Sequence, residues 1–242
     1  MPLFDFINYG ADKLQTLLLI ILRASGLFLL APIFSHRTIP VLIKAGFIIA
    51  IAIVLVPTVN AAMPYQIESF WQLAALGAKE ILLGLLIGLI FRLIFFGAET
   101  AGTIIGYQIG FALFNLPDVE EGGQISILGQ FWYLVAALIF LSINGHHLIV
   151  TAFAGSYEVI PPGVVGLGAP VGELMIKCTA YVFVLALKIA APLMIALFLT
   201  DVALGTIAKT IPTMNVFFVG FPIKISVGLL VMAMALPAFL MD

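Results

Sequence analysis

Six charged residues lie inside long apolar stretches of this sequence, and their types and positions are the first place to look for chemistry. They are Arg23, Lys79, Glu80, Arg92, Lys177 and Lys188. A charge at the centre of a membrane helix costs about 2.5–3.5 kcal/mol on insertion scales, so it needs a partner or contact with water. Charges of this kind mark ion or substrate paths in membrane proteins.

The six charges divide into two groups. Lys177 lies four residues after Glu173, which is the spacing of an ordinary surface pair on one helix face. The remaining five are expected to meet another subunit or to line water: Arg23, Lys79, Glu80, Arg92 and Lys188. Lys79 and Glu80 must point in different directions, because successive helical residues are about 100° apart. The alternative is that these side chains snorkel towards the helix ends.

Motifs of catalytic and metal sites are missing from the sequence. It contains no HExxH, GxSxG or GxxxxGK[ST] motif. His146 and His147 are adjacent, so their rings cannot bind one metal ion from one helix face, and we interpret them as a helix-terminus pair. Asp201 lies beside a predicted break, where a lone acid is more often a helix cap than a proton site. We therefore predict no enzymatic activity, no bound metal and no cofactor.

The composition is typical of an integral membrane protein. Of the 242 residues, 63% are hydrophobic and only 9% are charged, whereas a soluble domain carries about 25% charged residues. The formal net charge of −2 argues against a nucleic-acid partner, because nucleic acid favours a basic patch. Cys178 is the only cysteine, which excludes an internal disulfide. The sequence predicts a single all-α membrane domain.

Hydropathy predicts six or seven long helical runs, several of them kinked or broken. The runs cover residues 14–34, 41–63, 70–97, 125–143, 148–160, 171–200 and 214–240. The run 70–97 exceeds the ~20 residues of a straight span, and we expect it to share one bent, broken segment with the helix that follows. Residues 201–212 read as a polar connector, and Pro222 as a kink.

Small residues form a stripe on the helix that follows residue 97. Its members are four residues apart: Ala98, Gly102, Gly106 and Gly110. Gly84 and Gly88 form a second pair with the same spacing. Such stripes let another helix approach closely. We expect both sets to serve helix packing, in particular tight contacts between subunits.

An aromatic and then acidic loop follows the stripe. Its residues are Phe111, Phe114, Asn115, Leu116 and Pro117, the acids Asp118, Glu120 and Glu121, and the glycines Gly122 and Gly123. Pro117 cannot continue a helix, and glycines free the backbone, so the packed helix is expected to stop in this loop. The acids either line water or keep the loop out of lipid. In a chain this apolar, the loop is the leading functional candidate.

Four stretches in this order resemble one family. They are RASGLFLLAPIFSHRTIPVLIKAGF (23–47), the segment 79–115 with its GYQIG motif, LGQFWYLVAALIFLSINGHH (128–147) and NVFFVGFPIKI (215–225). The chain is similar to the FliR family of the bacterial type III export gate, whose virulence counterpart is the SctT family of injectisomes. Typical members extend somewhat further at the C-terminus, so we expect this sequence to end short of them.

The resemblance implies a non-enzymatic pore subunit of a larger assembly. In this family one R subunit joins five P-type (FliP) and four Q-type (FliQ) subunits, FlhB surrounds the base, and FlhA docks substrates. The implied location is the bacterial inner membrane at the flagellar basal body, projecting to the periplasmic side. The implied division is a P-like portion, about 1–165, and a Q-like hairpin, about 166–242. Unfolded exported proteins would pass through the central channel.

The resemblance also gives the loop a role, because residues 106–123 match a segment that acts as a channel plug. Large apolar side chains dewet a narrow passage, so Phe111 and Phe114 suit a seal. Ordinary core packing is the commoner role of phenylalanine. An alternative from another class is a secondary transporter for a small solute, with Arg92, Lys188 and Asp201 as its site. Inverted internal symmetry would favour the transporter, and none is evident in the sequence.

Overall fold

The computed structural model describes residues 2–36, 38–59, 69–111, 116–117, 124–163, 169–213 and 215–239, and within these ranges the chain is almost entirely helical. The helices are α1 (Pro2–Leu30), α2 (Val41–Leu55), α3 (Phe70–Ile109), α4 (Ile127–Ser142), α5 (Gly145–Val159), α6 (Ala169–Thr210) and α7 (Val216–Phe239). Two short strands, β1 (Leu116–Pro117) and β2 (Gln124–Ile125), pair antiparallel. The predicted all-α membrane fold is confirmed.

Four of the described helices are long and apolar enough to cross a membrane. The candidate spans are Lys13–Leu30, Phe70–Ile109, Val171–Thr210 and Phe218–Pro237, and α4 with α5 makes a fifth if the two form one broken span. A bilayer core is ~30 Å thick, whereas a helix as long as α3 or α6 extends about 60 Å. Both helices must therefore tilt strongly or project beyond the hydrocarbon.

The long helices are less interrupted than the sequence predicts. The expected break near residue 97 is wrong, because α3 runs without interruption from Phe70 to Ile109. The polar connector is also wrong, since α6 continues through it to Thr210. Glycine costs a helix only about 1 kcal/mol, and tertiary packing outweighs such local preferences. Pro222 lies inside the helix α7, and the kink expected there stays a prediction.

The described chain divides into two compact units. Unit 1 comprises Met1–Leu93 and Leu141–Ile176, and unit 2 comprises Ile94–Phe140 and Lys177–Asp242. Unit 1 thus contains α1, α2, α5 and the first part of α3. Unit 2 contains the rest of α3, most of α4 and α6, and α7. The candidate site residues fall into two separate settings, one in each unit.

Aromatic side chains hold α2 against the end of α1 in unit 1. The Phe28 ring lies 4.8 Å from Phe34 and 5.7 Å from Phe47, measured between centroids. The link between the helices includes Ile33 with φ 71°, a backbone conformation that is rare for a β-branched residue. The link occupies residues 31–40, because α1 ends at Leu30 and α2 begins at Val41.

The core of unit 2 is formed by residues one helical turn apart on neighbouring helices. Its buried members are Ala101, Ile105, Ile109, Leu128, Trp132, Ala186, Ala190, Leu193 and Leu197. The spacing places each set on one helix face. Small residues on both α3 and α6 allow a close approach, which brings the end of α3 into the packed interior of this unit.

Candidate functional site

A fully buried ion pair lies at the centre of unit 1. The Arg23 Nε on α1 donates to Glu80 Oε2 on α3 at 2.5 Å, and neither side chain is accessible to solvent. The other guanidinium nitrogens donate to Ser156 Oγ and to the Ile160 carbonyl, both at 3.0 Å. The second Glu80 oxygen accepts the Gly163 backbone N–H at 2.9 Å. The pair therefore joins α1, α3 and the end of α5.

Tyr157 completes this network. Its ring lies 4.1 Å from the Arg23 guanidinium carbon, measured to the ring centroid, and 5.3 Å from the ring of Phe153. A cation over an aromatic face is attracted by the ring quadrupole. The Tyr157 hydroxyl is buried without a hydrogen-bond partner among the described residues. The arginine is thus enclosed by acid, hydroxyl, carbonyl and ring.

This geometry corrects the interpretation of two charges. Arg23 and Glu80 do not face water or another subunit, because they neutralise each other inside the chain. Burying a charge is tolerable only when it is paired and its remaining hydrogen-bonding capacity is used. The predicted divergence of neighbours is confirmed, since Glu80 is buried and Lys79 is exposed. Arg92 and Lys188 are also exposed, and their contact with a subunit or water stays a prediction.

The glycines of α3 receive backbones of the same chain. A Cβ at Gly84 would overlap the Arg23 carbonyl oxygen and lie 2.8 Å from the Leu27 nitrogen, and one at Gly88 would lie 2.8 Å from the Leu27 carbonyl oxygen. Gly26 on α1 makes the reciprocal approach to α3. The expectation that these glycines face another subunit is wrong, because α1 occupies their space.

The stripe after residue 97 packs in the same way inside unit 2. A Cβ at Gly102 would overlap the Leu128 carbonyl oxygen on α4, and it would lie 2.7 Å from the Trp132 ring. Gly106 is less crowded, with the nearest atom at 3.4 Å, and Ala98 is buried. The stripe therefore brings α3 against α4 of the same chain rather than against a partner at Gly102.

The helix α3 ends at Gly110 rather than at the proline further on. Gly110 has φ 98°, a left-handed conformation that glycine adopts without strain, and its N–H donates to the Gly106 carbonyl at 3.1 Å. Pro117 instead lies in β1, paired with Gln124 of β2. The predicted helix stop is right in its location, but its cause is the glycine C-cap.

Phe111 packs back onto the chain immediately after this C-cap. It lies against the core of unit 2, with its ring centroid 6.5 Å from that of Phe221 on α7 in an edge-on arrangement. The Phe221 ring also covers Gly110, where a Cβ would lie 3.2 Å from its Cε2 atom. Outside the described residues lie Phe114, Asn115, Asp118, Glu120, Glu121, Gly122 and Gly123.

A second ion pair lies beside Gly110, at a cavity of 380 Å³. The Lys224 Nζ on α7 is 2.5 Å from Asp201 Oδ1 on α6, and both side chains are partly exposed. The interpretation of Asp201 as a helix cap is wrong, because α6 continues nine residues past it to Thr210. Its actual partner, a lysine, leaves it poorly suited to hold a transported cation.

Histidine and acidic residues form no metal site in the described ranges. No group of three or more His, Cys, Asp or Glu side chains is close enough there to hold an ion. His146 and His147 lie in the first turn of α5, with ring centroids 4.4 Å apart in an edge-on arrangement. Asn144, with φ 57°, precedes this helix.

Comparison with known proteins decides the family of the chain. The family described as Bacterial export proteins, family 1, matches residues 14–242. The chain belongs to this family. It is 33% identical over 231 residues to the flagellar biosynthetic protein FliR of Bacillus subtilis, covering 93% of this chain and 87% of that protein.

Two further relatives extend the comparison of this export protein. It is 29% identical over 217 residues to the flagellar biosynthetic protein FliR of Escherichia coli, covering 90% of this chain and 82% of that protein. It is 30% identical over 232 residues to the Yop proteins translocation protein T of Yersinia pestis, covering 92% and 87%. Together with its apolar helices, the matches make it a membrane protein of bacterial protein export.

Several residues that hold the export protein together were missed by sequence reasoning. Ser156, Tyr157 and Gly163 enclose the ion pair, yet each is separated from it by more than 70 residues. Gly26 had a usable signal, because Ala24, Ser25 and Gly26 are consecutive small residues in an apolar run. Phe221 lies in the stretch NVFFVGFPIKI that carries the family resemblance, but nothing in that stretch indicates its contact with Phe111.

Proposed function

We propose that this export protein is a non-enzymatic pore subunit of a type III protein export gate, through which unfolded subunits cross the inner membrane. The observation that carries the proposal is the family match over residues 14–242, with relatives named for flagellar biosynthesis and for Yop translocation. Building a flagellum and translocating Yop proteins both require polypeptides to leave the cell. A shared membrane subunit is best explained as part of the passage.

The proposed partners are the P-type and Q-type subunits FliP and FliQ, together with FlhB and FlhA. Residues 1–165 form the P-like portion of the proposed assembly and 166–242 its Q-like hairpin. Large apolar side chains support the need for partners, since Leu42 and Phe218 expose 83% and 79% of their surface. Only lipid or other apolar helices can cover such surfaces without cost.

Residues 106–123 form the proposed channel plug. The described base of this segment supports the role in two ways. Gly110 supplies a left-handed hinge at the end of a long rigid helix. Phe111 contacts Phe221 of the same unit, so the base of the plug is held by the chain's own α7 rather than by a partner.

The transporter alternative has less support. It needs Asp201 as a substrate or ion site, and this carboxylate is engaged by Lys224. Arg92 and Lys188 are both exposed, as expected for charged residues at a surface that faces water or another subunit. A secondary transporter would retain solute uptake when purified alone, whereas a gate subunit copurifies with its partners and has no uptake activity.

Ion leakage tests the plug. We expect the double variant Phe111→Ala/Phe114→Ala, expressed with the complete set of gate subunits, to raise ion conductance of the membrane, because small side chains no longer dewet the passage. Phe218→Ala is the matched control, since Phe218 is an exposed phenylalanine of α7. Conductance is measured by a potential-sensitive dye, and assembly by copurification. An intact complex that stays as ion-tight as the parent contradicts the plug.

Gly110→Ala tests the hinge separately. Alanine in the left-handed region costs roughly 1–2 kcal/mol, which changes a closed-to-open ratio by about 5- to 30-fold. We expect leakage without loss of assembly. Gly205→Ala is the control, because a Cβ at Gly205 meets no atom within 4 Å. If Gly110→Ala and Gly205→Ala leak equally, the leakage does not depend on the left-handed conformation of Gly110, and the hinge is refuted.

A further inference from the structure

An apolar groove lies between α4 and α6 in unit 2. One wall is built by Trp132, Ala136 and Ile139 of α4, which lie on one helix face because they are four and three residues apart. Ala98 of α3 is part of the lining and is buried. The groove encloses 660 Å³. These residues and the opposite wall on α6 form the α4–α6 groove.

The second wall carries the only basic group of the groove. Tyr181, Leu185 and Lys188 of α6 line it, with the same four- and three-residue spacing. Tyr181 is 59% exposed, so its hydroxyl is available to a bound partner. Two walls with helical spacing over two turns, and small residues between them, have the form of a groove that receives a helix.

The Lys188 ammonium has no counter-charge within the described part of the chain. Three other basic groups there are engaged: Arg23 pairs with Glu80, Lys224 pairs with Asp201, and Lys44 donates to a carbonyl. No hydrogen bond or ion pair of these residues reaches Lys188. The Lys188 ammonium, which lies in an apolar span, is therefore available to an acidic group from outside the chain.

The position of Lys188 along α6 rules out relief at a helix end. At 1.5 Å per residue, it lies roughly 28 Å from the start of the helix at Ala169 and roughly 33 Å from its end at Thr210. A lysine side chain extends only roughly 6 Å, which is too short to snorkel over that distance. Lys209, in the last turn of the same helix, has no such difficulty.

Neither lipid nor water suits both the charge and the apolar walls of the groove. In lipid, a free ammonium at mid-helix costs about 2.5–3.5 kcal/mol. In water, the apolar walls stay exposed, which soluble surfaces avoid. A helix with an apolar face and one carboxylate satisfies both requirements, because it covers the walls and neutralises the lysine. A lipid phosphate is the competing occupant, and photocrosslinking distinguishes it from a partner helix.

We propose that the α4–α6 groove receives an apolar helix of a partner subunit, and that an Asp or Glu on this helix pairs with Lys188. The inference rests on the proposed function, since it requires a multi-subunit assembly in the membrane. It goes further by fixing the surface of the chain, the type of element that binds there and the chemical group that it carries.

Photocrosslinking in native membranes tests the groove. p-Benzoylphenylalanine replaces Tyr181 inside the groove, and Phe183 as the matched control, because the two residues are 59% and 61% exposed on the same helix but point in different directions. Adducts are purified and mapped by mass spectrometry. We expect the Tyr181 position to yield an adduct with an apolar segment of a partner subunit that contains Asp or Glu.

Charge variants then test the pairing. Lys188→Glu should lower the Tyr181 adduct at least about tenfold, Lys188→Arg should retain it, and Lys209→Met should leave it unchanged. Adducts from the Phe183 position should not respond to Lys188→Glu. Changing the mapped carboxylate to lysine should restore the adduct in the Lys188→Glu background, since the ion pair is re-formed with reversed signs.

Each other outcome overturns the inference. An adduct with lipid alone, with a second copy of this chain or with a segment free of acids refutes the proposed occupant. A Tyr181 adduct that survives Lys188→Glu refutes the ion pair. If the gate subunits copurify while any of these results is obtained, the groove inference fails and the proposed function stands. If no gate subunit copurifies, the proposed function fails by itself.

Discussion

Replacing Glu80 by alanine should detach α1 from α3, because it leaves the Arg23 guanidinium buried without its counter-charge. The change removes the acceptor of the Arg23 Nε bond and also that of the Gly163 N–H. Both charged side chains have no solvent exposure, so water cannot take the place of the carboxylate without opening the packing. The predicted effect is a large loss of stability.

The magnitude follows from the complete burial of the pair. Removing one partner of a buried ion pair typically costs about 3–5 kcal/mol, whereas replacing both by apolar residues of similar volume is far less costly. Both variants remove the Glu80 acceptor of the Gly163 N–H. The double variant Arg23→Met/Glu80→Leu additionally removes the donor to the Ile160 carbonyl, which costs about 1–3 kcal/mol. The double variant should therefore be more stable than Glu80→Ala alone.

Thermal denaturation of the purified membrane complex measures this difference. At about 2–4 °C per kcal/mol for a chain of this size, Glu80→Ala should lower Tm by roughly 6–20 °C, and the double variant by clearly less. Lys79→Ala is the matched control, because Lys79 is the exposed neighbour and surface changes usually stay within about 0.5 kcal/mol.

Two results would refute the reasoning about the ion pair. One is a Glu80→Ala variant with a Tm within about 2 °C of the parent, which would mean that the arginine finds water or another acceptor at little cost. The other is a double variant that is less stable than the single one. In that case the ion pair between Arg23 and Glu80 stabilises the chain more than an apolar pair of similar volume does.

Two further predictions concern close packing and the second ion pair. Gly84→Ala should prevent the chain from accumulating in membranes, because the added Cβ overlaps the Arg23 carbonyl. Gly155→Ala should accumulate normally, since open space surrounds Gly155. Immunoblots of membrane fractions measure both, and equal levels of the two variants would contradict the prediction. Asp201→Asn should lower stability by less than about 1 kcal/mol, because its salt bridge to Lys224 is partly exposed; a Tm loss above about 4 °C would show that the pair does more than join two surface groups.

The sequence predicted the helices better than their ends. The apolar runs place all seven described helices, because hydrophobicity over a long window does not depend on distant contacts. The extent of α6 was missed, since the polar residues 201–210 suggested a connector. Exposed polar residues are compatible with a helix that projects beyond the hydrocarbon, and local composition alone does not distinguish the two cases.

The pairing of charges was beyond sequence reasoning. Arg23 and Glu80 were both recognised as charges in need of a partner, but the contact joins residues 57 positions apart. In the sequence alone, any acidic residue could neutralise Arg23, and any basic residue could neutralise Glu80. Only the close approach of α1 and α3 at Gly26 and Gly84 selects this pair, and that approach is a property of the packed structure.

The buried ion pair also orders events during synthesis of the chain. Arg23 is made first, Glu80 follows 57 residues later, and the carbonyl of Ile160 follows 137 residues later. At about 5–20 residues per second, the arginine of α1 waits roughly 3–11 s for its carboxylate and roughly 7–27 s for the rest of its shell. During that interval α1 is a hydrophobic segment with an unpaired cation. We therefore expect α1 to insert stably only together with α3.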